Sequence, residues 1–275
     1  MKASSFDYVK PNSLTEAISL LGQADEAQLL AGGQSLIPMM NLRVASPAVI
    51  IDIGGLSELK TFSEENSAIS LGACITHAAI EDRRVPDPSR GLMPRVASGL
   101  SYRAVRTRGT IGGSLALADP AAEWPTVLTA LGAHVTLSSN DGQRKLSVAE
   151  LITGIYETQI AGEVLERIEV PKLSEGARWG YVKLSRKLGS FATSVAAVVH
   201  DPSRAFSRAV LGAANGAPII LHHTTQLVQA DRAELEALEE AISSDLAAAD
   251  DRLFDNYQIE THTATITRAM HQVIK

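Results

Sequence analysis

The chain has 275 residues, of which 45% are hydrophobic and 20% are charged, and its formal net charge is −6. This length is enough to bury a substantial core, either in two domains or in one elaborate domain. The acidic balance argues against a nucleic-acid partner, because such binders neutralise phosphates with basic side chains.

The single cysteine, Cys74, limits the redox chemistry of the chain. It cannot form an intramolecular disulfide, and alone it cannot hold an iron–sulfur cluster, which takes about four thiolates. We interpret it as a small buried residue that follows a strand. The N-terminus has no long apolar stretch, and the longest apolar run, 195–199, is far below the roughly 20 residues that span a bilayer. We therefore expect a cytoplasmic protein without a membrane span.

Helices and strands alternate in the first third of the chain. Ser13 and Glu16 have the spacing of a capping box ahead of apolar residues at helical intervals, and Gly22 is predicted to end that helix. Buried strands are predicted at 27–30, 48–53 and 69–73, a short helix at 36–42, and another helix starting from Thr76.

The middle of the chain is predicted to contain helices, a long loop and a hairpin. A helical region runs from about 88 to 100, and a loop covers 102–113. Asp119 and Pro120 have the pattern of an N-cap and first residue of a helix that ends near residue 131. The remaining predictions are a hairpin with strands 134–138 and 143–146, a capping box at Ser147 and Glu150, and a strand at 164–170.

The segment 171–177 contains Pro, Ser and Gly without periodicity, and we place a domain boundary there, dividing the chain into 1–173 and 174–275. Strands are predicted at 179–184, 192–200 and 207–213, followed by helices, of which 234–242 and 260–274 are the clearest. Strands followed by helices indicate an α+β second domain. We interpret His222-His223 as part of an extended strand whose adjacent side chains point to opposite faces, and therefore not as a metal site.

Two segments contain paired glycines next to hydroxyl residues, Ala31-Gly32-Gly33-Gln34-Ser35 and Gly109-Thr110-Ile111-Gly112-Gly113-Ser114. A diphosphate needs several main-chain N–H groups that converge on it, and glycine permits this approach because it lacks a Cβ. The hydroxyls of Ser35, Thr110 and Ser114 would add donors. Each pair taken alone is equally compatible with an ordinary tight turn.

Several familiar motifs are absent from the sequence. There is no G-x-x-x-x-G-K-[ST] loop and no G-x-G-x-x-G fingerprint, so neither common nucleotide-binding pattern applies. G-x-S-x-G and H-E-x-x-H are also absent, which argues against a hydrolase nucleophile and a zinc protease site. We predict no catalytic residue and no metal ligand on this chain.

The segments Ala31–Met40 and Arg108–Ala116 resemble the two FAD-pyrophosphate loops in the medium subunits of molybdenum hydroxylases, the family of xanthine, carbon monoxide, nicotine and quinoline dehydrogenases. Further similar segments are 118–123, 181–192 and 250–253, so the resemblance extends from about residue 5 to the C-terminus. It implies an α+β fold with a vanillyl-alcohol-oxidase (PCMH) type FAD-binding domain. This domain has two α+β subdomains that divide near 55–60, and a C-terminal domain with a three-stranded antiparallel sheet and helices follows.

The resemblance also assigns roles to individual residues. It implies that Ala31–Ser35 wrap the pyrophosphate through main-chain N–H groups and that Thr110, Gly112, Gly113 and Ser114 do so from the other side. Glu123 would help to fix the adenosine part, Leu165 would provide an apolar contact, and Tyr181 and Lys183 would lie beside the flavin. The full implied cofactor site is Leu30, Ala31, Gly32, Gly33, Gln34, Ser35, Leu36, Gly109, Thr110, Ile111, Gly112, Gly113, Ser114, Ala116, Ala122, Glu123, Leu165, Tyr181 and Lys183.

The sequence departs from the family pattern at two positions. Ser190 stands where the family often has Asp, which removes a charge near the flavin region, and Leu117 stands where many members have His or Asn. Arg103, Arg106 and Arg108 form a basic cluster that we interpret as a solvated face, with contact to a phosphate or to an acidic partner as alternatives.

The implied function is that of a flavoprotein subunit. In the family, a large subunit with molybdopterin oxidises the substrate, and a small subunit with two [2Fe–2S] clusters passes electrons to FAD on the medium subunit, which delivers them to an external acceptor. The resemblance implies a heterotrimer or its dimer. The alternatives are an autonomous FAD-dependent oxidoreductase of the same fold and a non-catalytic interaction subunit.

Overall fold

The computed structural model describes residues 2–231, 234–252 and 254–274. Its first unit is a three-stranded parallel sheet in the order β1 (Asp7–Val9), β3 (Val49–Asp52), β2 (Ala27–Leu30). Helices α1 (Leu14–Gln23) and α2 (Leu36–Asn41) accompany it. Ala17, Ile51 and Leu59 are fully buried in a small apolar core that this unit shares with Cys74.

The second unit is a five-stranded antiparallel sheet. Its order is β4 (Phe62–Glu64), β5 (Ala68–Gly72), β10 (Val164–Pro171), β6 (His134–Ser139), β7 (Gly142–Ser147). Six helices and a small hairpin are inserted between β5 and β10. They are α3 (His77–Glu81), α4 (Leu92–Gly99), α5 (Arg103–Arg106), α6 (Ile111–Leu117), α7 (Glu123–Leu131), α8 (Val148–Leu151), β8 (Ile152–Gly154) and β9 (Glu157–Thr158).

The third unit is a four-stranded antiparallel sheet with helices. Its strands are β11 (Arg178–Leu184), β12 (Ser194–Asp201), β13 (Phe206–Gly212) and β14 (Ile219–Ile220), and its helices are α9 (His222–Ala230), α10 (Leu235–Ala247) and α11 (Asn256–Met270). All eight residues of β12 are buried, because α7 packs on one face of the sheet and α11 on the other. The nine residues of α7 are likewise all buried.

The α+β class and the predicted family fold are confirmed by this arrangement. The main strands and helices occur close to their predicted positions, including the hairpin around Asn140 and the complete capping box of Ser147 and Glu150. The chain passes from the first sheet to the second between Asp52 and Phe62, and from the second to the third between Pro171 and Arg178. The domain divisions that we place near 55–60 and at 173 remain proposals.

Several local predictions are wrong in identifiable ways. The predicted loop 102–113 contains α5 and the first turn of α6. The pair Asp119-Pro120 does not begin α7. Instead the Asp119 carboxylate accepts a hydrogen bond from Ala121 N, and Ala122 is the N-cap. His222-His223 begins the helix α9 and is not part of a strand.

Smaller corrections concern the ends of elements. The Ser13 hydroxyl accepts from Glu16 N as predicted, but the Glu16 carboxylate accepts from Asn12 N, so only half of that capping box forms. Helix α1 continues past Gly22 to Gln23. The C-terminal sheet gains a fourth, two-residue strand, β14, beside its three predicted strands. Leu253, within the family-like segment 250–253, lies outside the described residues.

Gly180, in β11, allows helix α11 to pack closely against the third sheet. A Cβ at this glycine would overlap the backbone of Ala269 in α11, with the Ala269 carbonyl carbon only 2.9 Å away. We expect Gly180→Ala to lower the free energy of unfolding by about 1–3 kcal/mol, the usual cost of overpacking a core. Urea denaturation would measure this, with Gly176→Ala as the control because a Cβ there meets nothing within 4 Å. Equal midpoints for the two variants would show that α11 does not pack as described.

Candidate cofactor site

The two glycine segments meet in space. The first, which we call loop 1 (residues 31–35), connects β2 to α2, and the second, loop 2 (residues 107–110), connects α5 to α6. Gly32 packs directly against loop 2, since a Cβ on it would overlap the Arg108 carbonyl and stand 2.9 Å from Gly109 Cα. Any larger residue at position 32 would separate the loops.

Loop 1 presents unused hydrogen-bond donors. Within the described part of the chain, the main-chain N–H groups of Gly32, Gly33, Gln34 and Ser35 donate to no protein acceptor, and the Ser35 hydroxyl has no partner either. Gly33 has a φ of +72°, a left-handed conformation that glycine adopts without strain. Consecutive free N–H groups in such a turn form a concave anion-binding surface.

The residues after loop 2 differ from the prediction. Gly112 and Gly113 lie in the first turn of α6, and their N–H groups are already donated, to Ala73 O and to the Thr110 hydroxyl. Ile111 N and Ser114 N are likewise occupied, by Ile75 O and Thr110 O. Of the four residues predicted to bind the phosphate from this side, Gly112, Gly113 and Ser114 thus have N–H groups that are already bonded, whereas the Thr110 N–H donates to no described acceptor. The small residues are required for packing instead, since a Cβ on Gly112 would overlap Ala73.

The basic cluster next to loop 2 is mostly neutralised. Arg103 forms ion pairs with Glu81 and Asp82 at 2.6 Å, and Arg106 pairs with Glu81 at 2.8 Å while donating to the Leu100 carbonyl. Arg103 and Arg108 are exposed, as the interpretation of a solvated face predicted, whereas Arg106 is largely buried within its ion pair. Arg108 is exposed and forms no ion pair among the described residues, so it is the cation left free beside the two loops.

Glu123 and Lys183 form a buried ion pair. The Lys183 ammonium donates to Glu123 Oε1 at 2.5 Å, and the two side chains are only 11% and 6% exposed, respectively. Burial raises the pKa of the Glu123 carboxyl, and the adjacent Lys183 charge opposes that rise. The pair joins β11 to the first residue of α7, a helix that packs on β12 and β13. Since the two residues touch, they cannot contact opposite ends of a dinucleotide, and the separate adenosine and flavin roles implied for them cannot both hold.

Tyr181 lies on the same face of β11 as Lys183 and points into the protein. Its hydroxyl is sealed from solvent and has no hydrogen-bond partner among the described residues. Burial and the nearby Glu123 charge both raise the pKa of this phenol, so it stays protonated. Leu165, predicted to touch the cofactor, is only 5% exposed in β10. The roles of both side chains remain predictions.

His77 belongs to this site and was missed from the sequence. Trp124 Nε1 donates to His77 Nδ1 at 3.0 Å, and the His77 ring lies against loop 2, with its Nε2 only 2.9 Å from where a Cβ on Gly109 would stand. His77 N also donates to Gly109 O. His77 and Trp124 are 47 positions apart in sequence, so no local spacing connects them.

The predicted residues therefore fall into three groups. The first group lies on the two segments that meet at Gly32 and Ala31, and its members are Leu30, Ala31, Gly32, Gly33, Gln34, Ser35, Leu36, Gly109, Thr110, Ile111, Gly112, Gly113, Ser114 and Ala116. Ala122, Glu123, Tyr181 and Lys183 form a second group, joined to loop 2 through Trp124 and His77. Leu165, on β10, belongs to the large apolar core that also contains Ile111 and against which Tyr181 packs.

The two departures from the family pattern have different settings. The Ser190 hydroxyl donates to Lys187 O and accepts from Lys187 N, so it closes a local turn in which Gly189 has a φ of +80°. Leu117 ends α6 and is half-buried. Neither residue contributes a charge to the site.

The loops fit a phosphate-containing cofactor, because loop 1 offers a run of free N–H groups, Arg108 offers a free cation, and glycine leaves room for close approach. The described residues include no group of three or more His, Cys, Asp or Glu side chains that could hold a metal ion. No helix in the described ranges is long and apolar enough to cross a membrane. Fold and site together are those of an FAD-binding α+β protein.

Comparisons with known proteins define the family. The model of the family described as "FAD binding domain in molybdopterin dehydrogenase" matches residues 4–173. The chain is 34% identical over 232 residues to caffeine dehydrogenase subunit beta of Pseudomonas sp. (strain CBB1), covering 82% of this chain and 79% of that protein. It is 38% identical over 196 residues to the carbon monoxide dehydrogenase medium chain of Hydrogenophaga pseudoflava, covering 70% and 68%.

Solved structures agree with this match. Carbon monoxide dehydrogenase from Hydrogenophaga pseudoflava superposes with a TM-score of 0.89 at 32% identity, over 99% of this chain and 98% of that one. Quinoline 2-oxidoreductase from Pseudomonas putida 86 gives 0.84 at 28% identity, over 100% and 98%. The chain belongs to the family of medium, FAD-binding subunits of molybdenum hydroxylases, as its sequence motifs predicted.

Proposed function

We propose that this chain relays electrons within a molybdenum hydroxylase, from [2Fe–2S] clusters on a small partner subunit to an external acceptor, while a large molybdopterin subunit oxidises the substrate. Relatives of this chain are named as subunits or medium chains of dehydrogenases, which supports a multi-subunit assembly. The single cysteine supports placing the clusters on another chain. A heterotrimer or its dimer and a cytoplasmic location complete the proposal.

The contact between Gly32 and loop 2 is the observation that carries this proposal. It brings the two family motifs together in space, which supports a single ligand bound by both. Loop 1 would bind the diphosphate of FAD through the N–H groups of Gly32–Ser35, with Arg108 as a counter-charge. Thr110 and Ser114 would contribute hydroxyls from the opposite side, and Leu30, Leu36, Ile111 and Ala116 would shape the apolar walls.

The chain's own residues would position the cofactor and control its surroundings. FAD, when bound, supplies the redox chemistry, accepting electrons and releasing them to another centre. Lys183, Glu123 and Tyr181 form a buried polar group beside the loops, with Ala122 at its edge, and Lys183 provides a fixed positive charge there. Around the two loops the described residues include no nucleophile paired with a base, which favours a relay over an autonomous oxidase.

Purification of the full chain tests the proposal. We expect a visible flavin spectrum at about one FAD per chain, and copurification with a cysteine-rich small chain and a large molybdenum-containing chain. Added dithionite should bleach the flavin, and the reduced complex should then pass electrons to an acceptor. Turnover of an organic substrate by the isolated chain would instead support an autonomous oxidoreductase. A colourless chain that does not bind added FAD would indicate a non-catalytic interaction subunit.

A further inference from the structure

Trp124 determines which ring nitrogen of His77 carries the proton. Indole Nε1–H of Trp124 can only donate a hydrogen bond, so the His77 Nδ1 atom that it contacts at 3.0 Å must be the acceptor. A neutral imidazole with Nδ1 unprotonated carries its proton on Nε2. Burial, with a contribution from the Arg106 charge, lowers the pKa of His77 to about 4, so the ring is neutral at physiological pH. His77 therefore presents a fixed Nε2–H donor.

The Nε2–H group of His77 donates to no acceptor among the described residues. The residue is nevertheless only 8% exposed. In the described ranges, the side-chain atoms that are both sealed from solvent and unpartnered belong to Thr126, Thr129, Tyr181 and His262, and the His77 nitrogen is not among them. The small exposed area of His77 must then include Nε2. A donor on a nearly buried side chain that opens to the surface beside the two loops is placed to bind a ligand acceptor there.

The position of His77 Nε2 indicates which part of a ligand it would contact. The atom lies against Gly109 at the start of loop 2, on the wall where the N–H groups of Ile111, Gly112, Gly113 and Ser114 are all occupied. Among residues 107–114 only the Thr110 N–H donates to no described acceptor, whereas loop 1 has four such groups. A neutral N–H at that point would supply a directional hydrogen bond, and Arg108 next to it would supply charge.

We propose that His77 is a positioning residue for the cofactor, whose Nε2–H donates to a diphosphate oxygen of FAD from the loop 2 side, in the tautomer that Trp124 imposes. This inference rests on the proposed role of the two loops. It assigns the task expected of the α6 amides to His77, which lies 34 residues before Ile111, the start of α6. The side chain enters the site because His77 N donates to Gly109 O. Trp124 takes part only through His77.

A matched pair of variants tests the proposal. In His77→Asn the amide oxygen reaches the Nδ1 position and can still accept from Trp124, but the distal donor is lost. In His77→Gln the amide nitrogen reaches the Nε2 position and keeps the donor. We expect His77→Asn to weaken FAD binding about tenfold to a hundredfold, the usual effect of losing a hydrogen bond to a charged group, and His77→Gln to recover most of that affinity.

The readout is binding to the FAD-free full chain, measured by flavin fluorescence for FAD and by competition for ADP, which carries the diphosphate without the flavin. Equal losses for FAD and ADP in His77→Asn would support the proposal. Undiminished binding by that variant, or a loss confined to FAD, would overturn it. If the wild-type chain binds no FAD, the proposed function itself fails.

A measurement on the wild-type chain tests the proposal even if the variants do not fold. Nitrogen-15 NMR of the FAD-free protein should show His77 with its proton on Nε2, and ADP should shift that Nε2–H resonance while Nδ1 moves little. A resonance that ADP leaves unchanged would contradict the proposal even if both variants unfold. A merely structural role for His77 would lower the urea midpoint of His77→Asn without this ligand-dependent shift.

Discussion

Gly32→Ala should weaken FAD binding. The added Cβ would overlap the Arg108 carbonyl and come within 2.9 Å of Gly109 Cα, so loops 1 and 2 must move apart. Overpacking of this kind costs about 1–3 kcal/mol, which corresponds to a loss of roughly 5-fold to 150-fold in affinity if it is borne by the bound state. Titration of the FAD-free chain with FAD, followed by flavin fluorescence, would measure the loss.

Gly176→Ala provides the matched control, because a Cβ at that glycine meets nothing within 4 Å. We expect its FAD affinity to equal that of the wild type. Far-ultraviolet circular dichroism would establish that Gly32→Ala is folded. A folded Gly32→Ala chain that binds FAD as tightly as the control would mean that the contact between the loops is not part of the binding site.

Lys183→Met should destabilise the chain strongly. It leaves the Glu123 carboxylate buried without its partner, and breaking a buried ion pair in this way costs about 3–5 kcal/mol. Because burial raises the pKa of Glu123, the folded chain binds that proton more tightly than the unfolded chain does. Stability therefore falls as the pH rises from the ordinary value of 4.5 through the raised pKa, and the loss should be larger at about pH 8 than at about pH 5.

Glu123→Gln combined with Lys183→Met separates charge burial from packing. The double variant removes both charges, so it should recover much of the stability lost in Lys183→Met and should lose the added pH dependence. Urea denaturation of the FAD-free chain at the two pH values would provide the free energies of unfolding. Equal stabilities for the single and double variants would show that the Lys183 stem, not its charge, holds β11 against α7.

The fold could be predicted largely because its signals are local. The hydroxyl at Ser13, the turn at Asn140 and the capping box at Ser147 each act within a few residues, and the structure uses all three. The start of helix α6 was not predicted, because the contacts that stabilise it are not local. Gly112 and Gly113 favour turns when isolated, but the hydrogen bonds of this segment to Ala73 and Ile75, just after β5, hold it in place at the start of a helix.

The site was less predictable because its contacts are distant in sequence. The family motifs indicated both loops, but they did not show that the N–H groups after loop 2 would be consumed by the protein itself. Glu123 and Lys183 are 60 positions apart, and no spacing rule reveals that they pair. His77 carried no motif at all. Its role emerges only when Trp124 fixes its tautomer beside Gly109.

Amide hydrogen exchange of the FAD-free and FAD-loaded full chain tests the central claim most directly. The N–H groups of Gly32–Ser35 have no protein acceptor, so they should exchange quickly without FAD and become protected when FAD binds. Those of Ile111–Ser114 should be slow in both states, since they are already bonded. Unchanged exchange at residues 32–35 in a chain that has bound FAD would contradict the account.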